Sequence, residues 1–133
     1  MAFWFGWLAV GSIALSASLP LGFRAWNKRR AAPDSRPIRV HVALGTATTV
    51  LAFAHVVFVV PDLGSPEAVG GGFMAFVPAA MAFCVIIAHA GIGLQLRDVR
   101  LKQRAQKRRT HVMTAIAIAV AVTAHVWILR TVE

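Results

Sequence analysis

Cysteine and carboxylates are scarce in this chain, and each shortage closes off a class of function. A single cysteine, Cys84, among 133 residues excludes an intramolecular disulfide framework. It also leaves no Cys-x-x-Cys-His motif, and nothing in the order of residues suggests a catalytic triad. Only five residues are Asp or Glu, and charged residues make up 14% of the chain. A soluble domain usually carries about 25%. With 58% hydrophobic residues and a mean hydropathy of +0.68, the chain reads as a membrane protein.

Four runs lack Asp, Glu, Lys and Arg altogether: 1–23, 40–61, 68–96 and 110–129. Each is long enough for a transmembrane helix, which needs roughly 17–25 residues. The first run has no basic segment before it and no small-residue cleavage site after a short core, so it reads as a retained helix rather than a signal peptide. Trp4 and Trp7 at its start and Trp26 past its end suit the two interfaces of a bilayer. The expected architecture is all-α: an up-down-up-down bundle of four transmembrane helices in a single domain, over about 3–23, 39–61, 73–96 and 110–130.

The formal charge of +9 is unevenly placed. Of fourteen Lys and Arg, all but Arg130 lie in two stretches, Arg24–Arg39 and Arg97–Arg109. The loop between them, Asp62–Gly72, carries Asp62 and Glu67 and no basic residue. Short loops rich in Lys and Arg stay on the cytoplasmic side. The expectation is therefore an integral protein of the bacterial inner (cytoplasmic) membrane with cytoplasmic basic loops and both termini outside. The basic residues answer to topology and to anionic membrane lipid, not to nucleic acid.

The chemistry-bearing residues are histidines, and all five lie inside the apolar runs. His41 and His55 are fourteen residues apart. Fourteen helical steps turn the chain about 1400°, roughly 40° short of four turns, and rise about 21 Å. Both rings thus share one helix face, near opposite edges of a hydrocarbon core about 30 Å thick. The pattern recurs 70 residues later in His111 and His125, with the words His-Val and Ala-His-Val repeated around them. Helices 2 and 4 would run parallel and bring two His–His pairs to matching depths.

Ionisable side chains inside a membrane are functional candidates by default. Histidine on each side of a haem iron gives a low-spin centre suited to electron transfer. The expectation is two haem b groups, His41 pairing with His111 and His55 with His125, against the alternative that the rings are packed polar residues. Between the rings, Gly45, Thr48 and Ala52 on helix 2 are small, and Ala115, Ile118 and Val122 on helix 4 are modest in size. Gly45, one turn from His41, would let a macrocycle approach the backbone. Lys107 and Arg108, one turn before His111, and Arg130 at the other end are candidate partners for propionates, unless they simply snorkel to the interface. His89, on helix 3, has no counterpart in the repeat. Three roles are open to it: a packed polar residue, a hydrogen-bond partner for a propionate or quinone, or an axial ligand in place of His41 or His111.

On these residues the chain resembles the di-haem, four-helix cytochrome b core of bc1- and b6f-type complexes. That family also clamps two haems between histidines about fourteen apart on two parallel helices. Membrane cytochrome b subunits of hydrogenases and formate dehydrogenases are similar in plan. The family's Pro-Glu-Trp-Tyr quinol signature is missing, since Pro66-Glu67 continues into Ala68-Val69. The resemblance implies the haem ligands His41, His55, His111 and His125, and an electron-transfer subunit working with other subunits of a redox complex. Its electrons would pass between a quinone or partner subunit and a second redox partner. Two alternatives use the same histidines without haem: a transporter or proton relay, and a structural anchor subunit. A relay usually employs carboxylates, and the apolar runs contain none.

Overall fold

The computed structural model describes residues 1–63 and 73–131, with side chains at all of these except 62 and 73–75. Most of the acidic loop lies outside the described residues. Among those residues the chain forms four α-helices and no strand: α1 (Ala2–Asn27), α2 (Arg36–Val59), α3 (Phe73–Gln95) and α4 (Arg104–Thr131). A short 3-10 turn, Val60–Asp62, continues α2. All four helices have spans long and apolar enough to cross a bilayer. The protein is an all-α integral membrane protein built as a four-helix bundle.

At the basic end α1, α2 and α4 run beyond their apolar runs, whereas α3 stops at Gln95, inside its own. Pro37 sits in the first turn of α2, where its missing N–H costs nothing. α4 begins at Arg104, six residues before Thr110, because Ala, Gln, Lys and Arg are all good helix formers. Arg104 also closes the hairpin. Its guanidinium donates to the carbonyls of Asp98 at 2.5 Å and Leu96 at 2.6 Å, groups that the end of α3 leaves without helical partners. Pro20 and Pro78 lie inside α1 and α3, as membrane helices tolerate.

α1 packs along α2, α3 packs along α4, and α2 also meets α3. The contacts give the directions. Phe5, at the start of α1, stacks on Phe58, at the end of α2, at 5.2 Å. Phe53 of α2 meets Phe83 of α3 at 6.4 Å. At the basic end, His41 and His111 approach to 6.1 Å, so α2 and α4 run the same way.

The described core is thin and centres on mid-depth, with Ser16 at the level of His41. Its members are Ala9, Ser12 and Ser16 of α1, Thr48 of α2, Ala82 and Ile86 of α3 and Ile118 of α4. The large apolar side chains, Leu15, Phe53, Met81 and Val120 among them, point outward, as lipid rather than water requires. Thr48 and Ile118, each 5% exposed, obey the same 70-residue offset as the histidines. Each lies seven residues from both histidines of its helix, two turns either way. The bundle therefore closes at its waist and carries one tier of imidazoles on each side of the closure. Two of the buried hydroxyls are satisfied inside their own helices, Ser12 donating to Leu8 O at 2.7 Å and Thr48 to Leu44 O at 2.9 Å, while Ser16 reaches across to α2.

Candidate cofactor site: imidazoles in two tiers

Three of the imidazoles, His41, His55 and His89, are positioned by a hydrogen bond to a neighbouring helix, and the partner decides which ring nitrogen holds the proton. A carbonyl oxygen only accepts. His41 Nδ1 lies 2.8 Å from the Ser16 carbonyl of α1, so Nδ1 carries the hydrogen and donates it. The Ser16 hydroxyl, 2.9 Å from the same nitrogen, donates in turn to the His41 carbonyl at 3.2 Å. His55 Nδ1 donates to the Ala2 carbonyl at 2.9 Å. In both rings the lone pair is left on Nε2. This is the arrangement that orients a metal-binding histidine, whose second nitrogen is held by an outer partner.

His89 is held the same way with the helices exchanged. Thr114 of α4 donates its hydroxyl to the His111 carbonyl at 2.9 Å, so its oxygen accepts from His89 Nδ1 at 2.8 Å. His111 differs. Its Nδ1 is enclosed and has no hydrogen-bond partner among the described residues. Its ring stacks on His89, with centroids 3.8 Å apart and planes 14° apart, and stands at 87° to His41. The basic end thus gathers three imidazoles, His41, His89 and His111. His55 and His125 occupy the opposite tier, and Nδ1 of His125 is enclosed.

Glycine brings two of these rings against bare backbone. A Cβ at Gly6 would lie 3.2 Å from His55 Cε1, and one at Gly93 would lie 3.1 Å from His111 Cε1. Both distances are tighter than ordinary carbon contacts of about 3.5–4.0 Å. The space that Gly91 and Gly93 leave on α3 is thus filled at Gly93 by a ring of the protein itself. Gly45 is the opposite case: a Cβ there would meet nothing within 4 Å. The volume beside it, one turn from His41, is open.

The other residues singled out from the sequence are distributed as follows. Thr48 is buried at the waist, and Ala52 is half-buried one turn further along α2. Lys107 and Arg108 are half-buried in the first turns of α4, on the approach to His111. Arg130 lies over the Trp7 ring, 5.5 Å from its centroid, tying the end of α4 to the start of α1. Ser16, Thr114, Gly6 and the Ala2 carbonyl were missed by sequence reasoning. A hydroxyl 25 residues before a histidine gives no signal until a hairpin brings the two helices together.

At the basic end the residues present fit a bis-histidine haem. Two imidazoles across one metal, at about 2 Å per bond, have ring centres roughly 6 Å apart, and His41 and His111 stand at 6.1 Å. A bare-ion cage is another matter. Among the described residues no three His, Cys, Asp or Glu side chains are grouped to hold a metal ion, and parallel rings such as His89 and His111 cannot both aim at one ion along their stacking axis. No family model, curated protein or solved structure matches the chain.

Proposed function

We propose that the protein is a small di-haem cytochrome b subunit that passes single electrons across the membrane. The observation that carries this reading is the pair of rings on α2, His41 and His55, each with Nδ1 engaged by α1 and Nε2 left as the lone-pair nitrogen. Haem b supplies one-electron chemistry when bound. The chain's own work is to ligate and to insulate. His41 and His111 hold the basic-end group, and His55 and His125 hold the other. Thr48 and Ile118 fill the waist between them and keep water out. Lys107 and Arg108 supply cations at the membrane edge for the propionates of the basic-end group. A quinone or a partner subunit of a larger redox complex delivers or removes the electron at each face.

The basic loops are assigned to the cytoplasm and both termini to the outside of a bacterial inner membrane, from the placement of Lys and Arg. A reporter joined after Glu133 that works only in the cytoplasm would reverse this assignment.

A second reading, a haem-free proton relay, draws on the Thr114–His89–His111 contact at the basic end. The reduced-minus-oxidised absorbance spectrum of the purified protein separates the two. A b-type band equivalent to two haems per chain is the expected result. A flat spectrum from protein expressed with ample haem refutes the cytochrome.

A further inference from the structure

The geometry points to His89 as a second axial ligand at the basic end, interchangeable with His111 opposite His41. This rests on the cytochrome reading and assigns a residue for which the sequence left three roles open.

Three observations support it. First, Thr114 gives His89 the same outer-partner lock that Ser16 gives His41. In both cases a hydroxyl of the neighbouring helix lies at Nδ1 and donates onward to a carbonyl, leaving the lone pair on Nε2. Second, His111 lacks that lock: its Nδ1 is enclosed with no hydrogen-bond partner among the described residues. A ligating imidazole without an outer acceptor is the less well oriented of the two. Third, the rings are stacked at 3.8 Å with planes only 14° apart. The two ring planes are nearly parallel and about one ring thickness apart, so one ring can stand in for the other through a displacement of about that size. Gly93, four residues after His89, presents bare backbone to the edge of His111. The close pairing is thus built into α3 at two positions. Thr114 also ties the rings together through its bonds to His89 Nδ1 and the His111 carbonyl. With haem bound, an exchange would break one metal–nitrogen bond and make another, with no change in electron count and no proton released.

The test is haem content and spin state in wild type, His41→Ala, His89→Ala, His111→Ala and the double variant His89→Ala/His111→Ala. Haem at the His55–His125 tier reports that each variant has folded. His41→Ala is expected to lose the basic-end haem. His89→Ala and His111→Ala are each expected to keep it, low-spin and six-coordinate, and the double variant to lose it. Loss of that haem in either single variant overturns the interchange, and so does its retention in the double variant. A wild type without haem removes the cytochrome reading itself, and this inference with it. Loss confined to one single variant removes this inference alone.

Discussion

The two hairpins carry one histidine repeat and use it differently. In α1–α2 both histidines lie on α2, and α1 contributes hydrogen-bond partners and space but no imidazole: the Ser16 and Ala2 carbonyls, the Ser16 hydroxyl and the bare backbone at Gly6. In α3–α4 the accompanying helix brings an imidazole of its own. His89 takes the hydroxyl partner on α4, and His111 lies stacked beneath it instead of being anchored. A repeat in ligands is therefore not a repeat in what orients them. Second partners tune a ligand's basicity and direction, so the basic-end and opposite tiers should differ in behaviour although their four matching histidines look alike in the chain.

Breaking the tier that has no spare ring should have the largest effect. His55→Ala and His125→Ala are each expected to abolish one haem outright, while His111→Ala is not. Haem-to-protein ratios on purified variants check this, and equal losses at the two ends would erase the contrast. Next in size is filling the open volume beside His41. Gly45→Leu meets no protein atom at its Cβ, so it should fold with near-normal thermal stability yet lose much of the basic-end haem. A normal haem content would show that no macrocycle uses that space.

Removing one orienting hydroxyl should do less. In Ser16→Ala the backbone carbonyl still accepts from His41 Nδ1. Haem affinity at the basic end should therefore weaken by about 10-fold, the low end for an outer-partner mutation. Thr114→Ala removes the hydroxyl that accepts from His89 Nδ1 and should leave haem content unchanged while His111 is present; titration of haem into the apoprotein measures both. The smallest effect belongs to Arg130→Ala. Its cation–π contact with Trp7 is exposed, and such contacts contribute about 0.5–1 kcal/mol. Thermal unfolding in detergent should shift slightly, and a large loss of haem would instead make Arg130 a propionate partner.

Much of the fold was legible because a membrane helix is written as a long run without charge, and helix periodicity converts a spacing of fourteen into one face and two depths. The helix ends were less so. Criteria based on lipid exclude Arg104–Arg109 from a span, yet these residues have every local reason to be helical. His89 stood out as an ionisable residue in a span, but its contact with His111 follows from the pairing of α3 with α4 and could not be read from its neighbours in the chain.

Composition and spacing alone determined that this is a four-helix membrane protein with charge gathered at one end and imidazoles at two depths, because those properties depend on helical pitch and on transfer between water and lipid. Tertiary structure decided which imidazole is anchored and which is stacked, and which glycine packs against a ring rather than lining open space. It also decided that Thr48 and Ile118 close the waist. Those outcomes depend on which residues of one helix lie opposite another, and in lipid that register is chosen by small residues and hydrogen bonds between helices, which no single run of sequence contains.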